Sequence, residues 1–131
     1  MIVDTSALIA ILRRETDAKA LAEAVEKAAT VKISSATFFE ACLVVDRMHD
    51  PRLAAEFDTL CGEIGLTFVD FNEHQARIAR TAYQKYGRGS GHGAKLNFGD
   101  CFAYALAKTT GEPLLYKGKD FIQTDVRSAL K

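Results

Sequence analysis

Short apolar runs alternate with longer stretches of helical periodicity along the whole chain. The apolar, β-branched runs predict four strands, at 1–3, 31–33, 66–69 and 113–116, of which the first is expected to be buried. Apolar residues that recur at helical spacing predict six helices, at 7–12, 16–29, 36–48, 50–64, 72–86 and 97–111. Because strands that alternate with helices pair in parallel, the expected fold class is α/β: a three-layer α/β/α sandwich with a short central parallel sheet.

The chain after the fourth strand is less regular. Residues 118–120 predict a turn into a short final element, and the tail from Asp125 predicts an added edge strand. No linker, repeat or low-complexity tract interrupts the pattern, and 131 residues suffice for one buried core. We therefore expect a single domain over residues 1–131.

Composition excludes some classes of protein without selecting a function. Hydrophobic residues make up 48% of the chain and charged residues 26%, which argues against disorder. The 17 basic residues balance 17 acidic ones. A neutral total is mild evidence against a passive nucleic-acid-binding protein, but it says little against an enzyme that concentrates acids in its site and bases around it.

Localisation follows from what the sequence lacks. No apolar run approaches the ~18 residues of a bilayer span, and no basic-then-apolar leader precedes the first strand. Cys42, Cys61 and Cys101 form no C-x-x-C pair and lie among apolar residues, so we expect small buried thiols rather than disulfides or a zinc site. These features predict a cytoplasmic protein without a membrane segment.

Four carboxylates mark the ends of predicted elements. Asp4 and Asp120 follow the first and last strands, and ligands of open parallel sheets bind beyond the carboxyl ends of strands. Glu40 lies on an otherwise apolar helix stripe, where a buried, unpaired carboxylate would cost several kcal/mol. Asp100 lies near the start of a helix that borders the same edge. Oxygen-only ligands of this kind suit Mg²⁺ or Mn²⁺, which activate water for attack on a phosphodiester.

Each acid also has a purely structural interpretation. Asp4 and Asp120 could each cap a following helix, and Asp100 could complete a capping box with Asn97. Glu40 could pair with Arg47 at the edge of the core. Convergence of all four acids on one edge of the sheet favours the catalytic interpretation.

A glycine-rich basic segment spans residues 87–95. It follows a helix rather than a strand, so neither a dinucleotide fingerprint nor a Walker A loop fits, and a mobile surface loop is expected for most of it. As a hypothesis, Arg88, His92 and Lys95 form a flap that contacts substrate phosphates. Lys117 and Lys119, beside Asp120, are further candidates for contact with a nucleic-acid backbone. The aromatic pairs Phe38/Phe39 and Tyr83/Tyr86 are expected in the core or an interface rather than stacked on bases.

The four acidic motifs occur in an order that resembles a known family. They are MIVDTSAL at 1–8, SATFFE at 35–40, LNFGDCFAYALA at 96–107 and LLYKGKDF at 114–121. Each motif is weak alone, but their order and spacing over nearly the whole chain resemble PIN domains, and specifically VapC-type toxins of type II toxin–antitoxin systems. The last acid varies in that family between Asp and Asn, and here it is Asp120.

This resemblance implies an endoribonuclease that cleaves tRNA or ribosomal RNA with Mg²⁺, or Mn²⁺ as the alternative. By the same resemblance, Asp4, Glu40, Asp100 and Asp120 hold the metal, and Ser6 orients Asp4 or a water molecule. In-line attack by water would leave a 3′-hydroxyl and a 5′-phosphate. The implied partners are the RNA, a VapB-type antitoxin whose tail covers the acidic groove, and a second copy of the chain in a homodimer.

Two other classes of function remain open at this stage. A haloacid-dehalogenase-type phosphatase would use Asp4 as nucleophile, but it requires a second Asp where Ser6 stands. A receiver-like phosphoacceptor could use Asp70 after the third strand, but it requires an acid where Thr5 stands. A non-catalytic PIN-like scaffold would be expected to lack one or more of the acids, and all four are present.

Overall fold

A computed structural model describes residues 1–130 and contains a four-stranded parallel sheet with helices on both sides. The strands are β1 (Ile2–Val3), β2 (Lys32–Ser34), β3 (Thr67–Val69) and β4 (Leu114–Leu115). The helices are α1 (Thr5–Leu12), α2 (Ala18–Lys27), α3 (Ser35–Asp46), α4 (Pro51–Ile64), α5 (Glu73–Tyr86) and α6 (Phe98–Thr110). The strand order is β3-β2-β1-β4, so the predicted α/β class with a parallel sheet is confirmed.

Adjacent residues of the central strands supply two separate cores. Ile2 and Leu114 pack with α5 and α6, whereas Val3 and Leu115 pack with α1 to α4. This division follows from the pleat of a strand, which sends successive side chains to opposite faces. Both faces are covered, which is why these strands are apolar throughout and the fold has three layers.

The helices begin and end at the residues that capping rules favour, with small differences from the sequence-based bounds. Asp50 caps α4 through the amides of Arg52 and Leu53, and Gly65 ends it in the left-handed conformation at φ 70°. Helix α2 begins at Ala18, two residues after the predicted start at Thr16. The Asp17 side chain makes no capping hydrogen bond, and Lys117 contacts it instead.

The end of the chain differs from the sequence-based expectation. Residues 120–123 form turns, so the predicted short final element is not a helix. The predicted edge strand from Asp125 reduces to one parallel bridge between Leu114 and Ser128. The amide of Leu114 donates to the carbonyl of Arg127 at 2.8 Å, which holds the tail against β4.

The three thiols are free and do not pair. Cys101 is buried, while Cys42 and Cys61 are partly exposed, and burial raises the pKa of Cys61 and of Cys101 to about 11. Thiols with raised pKa values are poor nucleophiles, as expected for side chains that only fill space. Within residues 1–130, every helix is too short or too polar to cross a bilayer.

Candidate active site

Asp4 lies at the carboxyl end of β1 and is 4% exposed. It caps α1, because its Oδ2 accepts hydrogen bonds from the Ser6 amide at 3.0 Å and the Ser6 hydroxyl at 2.6 Å. The Ser6 hydroxyl in turn accepts from the Lys117 amide at 3.0 Å. Ser6 therefore fixes the orientation of Asp4 and ties the end of β1 to the segment after β4.

Glu40 reaches the same region from the second turn of α3. Its Oε1 accepts a hydrogen bond from the Thr5 hydroxyl at 2.7 Å. An added Cβ at Gly99 would lie 1.8 Å from Glu40 Oε2, so the carboxylate packs directly against the start of α6. Arg47 is exposed, and the ion pairs of residues 1–130 do not include a Glu40–Arg47 pair. The structural alternative for Glu40 is therefore wrong.

Asp100 is the third residue of α6 and is 8% exposed. It completes a capping box, since the Asn97 amide donates to Asp100 Oδ2 and the Asp100 amide donates to Asn97 Oδ1, both at 2.9 Å. Asp100 therefore has the capping role that its spacing from Asn97 predicted. The box uses one carboxylate oxygen and does not exclude a second role.

Asp120 is exposed and follows Gly118, whose φ of 102° allows the chain to turn after β4. Because residues 120–123 form no helix, Asp120 cannot act as a helix cap, and that alternative is wrong. The turn instead places its carboxylate near enough to Asp100 for repulsion from Asp120 to raise the pKa of Asp100.

Burial and repulsion between carboxylates raise the pKa values of Asp4 and Asp100. Burial raises the pKa of Asp4 to about 6, against the lowering effect of Ser6, and Glu40 adds repulsion. Burial also raises the pKa of Asp100 to about 8, against the lowering effect of the Asn97 amide, with further repulsion from Asp4 and Asp120. Neighbouring carboxylates therefore help to raise the pKa values of Asp4 and Asp100, and only hydrogen bonds, not a basic side chain, act to lower them. A divalent cation would remove this repulsion.

The donor chemistry fits Mg²⁺ or Mn²⁺, although the acids are not yet arranged as ligands. All four candidates offer carboxylate oxygens, the ligand type that these ions prefer. Within residues 1–130, no three His, Cys, Asp or Glu side chains already stand close enough together to hold a metal ion. Uncompensated carboxylates repel one another, which disfavours a closer arrangement of these side chains without a cation.

The candidate basic residues differ in how free they are to meet a substrate. Lys117 Nζ is already engaged, since it pairs with Glu15 and lies 3.4 Å from Asp17. Lys119 is exposed beside Asp120, and Arg88 and Lys95 are exposed in the glycine-rich segment.

His92 has a role inside that segment. Its Nδ1 accepts a hydrogen bond from the Ala94 amide at 3.0 Å, and its ring meets the Tyr86 ring edge-on at 4.8 Å. Both ends of the segment are also pinned, because the Leu96 amide donates to the Tyr86 carbonyl and the Arg88 amide donates to the Leu96 carbonyl. The expected mobile loop is therefore anchored at its base, and its exposed part is the tip at 88–93.

Asp70, the acid that a receiver-like domain would require, lies away from this cluster. It follows β3, the edge strand, and β2 separates β3 from β1. Its carbonyl accepts a hydrogen bond from Gln75 at 3.1 Å. The sheet order thus gives no support to a phosphoacceptor that pairs Asp70 with Asp4.

Sequence reasoning missed two residues of the site. Thr5 was given no role in the site, yet its hydroxyl donates a hydrogen bond to Glu40. Gly99 had no assigned role, yet its missing side chain provides the space that the Glu40 carboxylate occupies. The position of Thr5 next to Asp4 was a signal in the sequence that could have placed Thr5 in the site. The contact of Glu40 on α3 with Gly99 on α6 gives no such signal in the local sequence.

Comparison with known proteins supports the resemblance to PIN domains over nearly the full length of the chain. A family model described as PIN domain matches residues 1–127. The chain is 51% identical to Ribonuclease VapC28 of Mycobacterium tuberculosis over 130 residues, which cover 99% of this chain and 98% of that protein. It is 43% identical to Ribonuclease VapC of Mycolicibacterium smegmatis, with 96% of this chain and 97% of that protein covered.

Solved structures with much lower identity share the fold. The crystal structure of M. tuberculosis VapC20, a Sarcin-Ricin loop cleaving toxin, matches with a TM-score of 0.73 at 16% identity, covering 95% of both chains. A chain of a toxin-antitoxin complex from Klebsiella pneumoniae matches with a TM-score of 0.68 at 18% identity, covering 95% of this chain and 92% of that one.

Proposed function

The chain belongs to the PIN-domain family and, within it, to the VapC proteins, and from that premise we propose that it is a Mg²⁺- or Mn²⁺-dependent endoribonuclease. The observation that carries the proposal is the row of four carboxylates. Asp4, Glu40, Asp100 and Asp120 come from four separate segments and meet at the carboxyl edge of the sheet. Two of them have raised pKa values that a bound cation would relieve.

In the proposed mechanism Asp4, Glu40, Asp100 and Asp120 would hold the cation through their carboxylate oxygens. A bound Mg²⁺ or Mn²⁺ would lower the pKa of a water molecule and offset the charge that develops on the phosphate. Ser6 keeps Asp4 in one orientation, and Thr5 does the same for Glu40. In-line attack by water would break the bond to the 3′ oxygen and leave a 3′-hydroxyl and a 5′-phosphate.

The same proposal includes substrate contacts outside the acidic row. Arg88 and Lys95 at the anchored glycine-rich segment, and Lys119 beside Asp120, are exposed and suited to contact phosphates of the RNA. Lys117 is a weaker candidate because Glu15 and Asp17 already neutralise it. His92 is better suited to shaping the segment than to acting as a base.

The biological role follows from the relatives. The names of the sequence relatives support a ribonuclease of the VapC type. We propose in addition that it is a toxin that cleaves tRNA or ribosomal RNA and is inhibited by a VapB-type antitoxin. We propose that the toxin forms a homodimer, acts in the cytoplasm, where these RNAs are found, and folds as one domain over 1–131.

The experiment that tests this function is cleavage of total cellular RNA by the purified protein with Mg²⁺, Mn²⁺ or EDTA, alongside Asp100→Asn. The Asn side chain keeps an oxygen that can accept the Asn97 amide, so the capping box and the fold should persist while the carboxylate charge is lost. Discrete fragments that require both metal and Asp100 are expected. Fragments that persist in EDTA or with the variant would refute the proposed mechanism. A folded wild-type protein that yields no fragments and shows no rise in melting temperature with millimolar metal would refute the function.

A further inference from the structure

Phe98 is the most exposed large hydrophobic side chain among residues 1–130, at 78%. It is the first residue of α6, directly between the Asn97 cap and the Gly99–Asp100 pair. Although exposed, the ring is held in position, because it meets the Phe102 ring edge-on at 4.8 Å. Phe102 is held in the same way by Phe71, also at 4.8 Å. The Phe98 ring thus presents a fixed aromatic face to solvent beside the acidic row, the four carboxylates of Asp4, Glu40, Asp100 and Asp120.

This face forms one wall of an apolar groove of about 370 Å³ between α5 and α6. Tyr83, which is 43% exposed, lines the same groove from α5. Arg80 provides the one basic group among the residues that line it. Arg80 is exposed and is absent from the ion pairs formed within residues 1–130, whereas its neighbour Arg77 is neutralised by Glu73 at 2.7 Å.

The groove begins close to the proposed cleavage site, because Phe98 lies two residues before Asp100 at the start of α6. Phe98 and Asp100 flank Gly99, the residue against which the Glu40 carboxylate packs. An RNA strand whose phosphate lies at the acids would therefore bring an adjacent nucleobase to Phe98. Proteins that read single-stranded RNA stack unpaired bases on aromatic rings and hold the adjoining phosphates with basic side chains.

We propose that the groove between α5 and α6 is a nucleobase subsite, in which Phe98 stacks on an unpaired base next to the scissile phosphodiester and Arg80 contacts a phosphate. The assignment rests on the proposed ribonuclease function. A single planar base can stack on the exposed Phe98 ring, and the groove of about 370 Å³ leaves room for it. The unpaired guanidinium at the rim also favours an anionic ligand over an apolar protein surface.

The test measures stacking directly in the cleavage-deficient Asp100→Asn protein. Short single-stranded RNAs that carry the fluorescent base 2-aminopurine at successive positions are titrated with this protein in Mg²⁺. One position should be quenched on binding, since stacking on an aromatic ring quenches 2-aminopurine. Adding Phe98→Leu should remove that quenching and weaken binding roughly ten-fold or more, the scale of base–aromatic stacking. Phe98→Trp should restore both, and Arg80→Ala should weaken binding and reduce its salt dependence.

Phe68→Leu is the matched control. Phe68 is also an exposed phenylalanine, at 51%, held edge-on by a second ring, Phe38, at 4.8 Å, but it lies on the edge strand β3. The Phe68→Leu variant should therefore bind RNA as strongly as the Asp100→Asn parent protein does.

The possible failures are distinguishable. If the wild type cleaves RNA with metal and Phe98→Leu binds and quenches like the parent, the subsite is wrong and the nuclease stands. If quenching depends on Phe98 but no RNA is cleaved, the subsite stands and the nuclease is wrong. Absence of quenching at every position overturns the subsite. A Phe98→Leu protein that changes its mass in light scattering without changing its RNA binding would assign the groove to a second copy of the chain.

Discussion

Replacement of Gly99 by Ala tests the contact that joins α3 to α6 at the acidic row. The new methyl carbon would lie 1.8 Å from Glu40 Oε2, 2.5 Å from its Cδ and 2.9 Å from its Oε1. All three distances are too short for non-bonded atoms. The atoms in the way belong to the end of a flexible, partly buried side chain, so Glu40 will rotate out rather than the helix shifting.

The cost in stability is modest because loss of the hydrogen bond to Glu40 and replacement of a glycine by alanine in a helix act in opposite directions. Rotation of Glu40 breaks its 2.7 Å hydrogen bond from Thr5, and hydrogen bonds to charged groups contribute about 1.5–3 kcal/mol. Thr5 also lies 3.3 Å from the Thr37 carbonyl, which recovers part of that loss. Replacement of Gly by Ala in a helix favours folding by about 0.5–1 kcal/mol. We expect a net decrease of about 1 kcal/mol in the free energy of unfolding.

The effect on catalysis is expected to be larger. Displacement of Glu40 removes one oxygen ligand from the proposed metal site, and disturbance of such sites costs about 10–100-fold in metal affinity or activity. Cleavage of RNA should fall by this factor in the purified Gly99→Ala protein, and the Mg²⁺ concentration at half-maximal rate should rise.

A matched glycine and a double-mutant cycle provide the controls. Gly62 lies within α4, and an added Cβ there meets nothing within 4 Å, so Gly62→Ala should stabilise the protein and leave cleavage unchanged. In a Glu40→Ala background the methyl group at position 99 meets no carboxylate, and Gly99→Ala should then become stabilising. A Gly99→Ala protein with wild-type cleavage, or the same destabilisation in both backgrounds, would refute the packing of Glu40 against α6.

Three further predictions address the charges of the site. In EDTA, the free energy of unfolding from urea titrations should fall as pH rises from 3.8 towards about 8. The reason is that the raised pKa values of Asp4 and Asp100 make the folded chain bind these protons more tightly than the unfolded chain does. Asp100→Asn should remove the upper part of this decline, and a stability that does not change with pH would contradict the repulsion. Ser6→Ala removes the 2.6 Å hydrogen bond to Asp4 and should slow cleavage about 10–100-fold in a folded protein, so an unchanged rate would exclude a positioning role. Combined replacement of Arg88, His92 and Lys95 by Ala should weaken RNA binding and flatten its salt dependence, and unchanged affinity would remove these three residues from the substrate site. Lys117→Ala should change little, because the charge of Lys117 is already paired.

Local patterns along the sequence were sufficient to predict the class of fold and the position of two acids. The apolar residues at 1–3 and 113–116 are buried on both faces of a sheet, and such strands are apolar throughout. Asp4 had to lie at the carboxyl edge because it follows β1 directly. The capping box of Asn97 and Asp100 was also legible, since both partners lie within one helical turn.

Only the tertiary structure decided which distant residues meet at that edge. The contact of Glu40 with Gly99, the approach of Asp120 to Asp100 and the pairing of Lys117 with Glu15 all join segments far apart in the sequence. Such contacts depend on the strand order β3-β2-β1-β4 and on the turns between elements, neither of which leaves a periodic signal. Phe98 shows the same limit, because the local sequence assigns its ring neither to the core nor to the surface, and its exposure follows from where the start of α6 lies relative to the sheet.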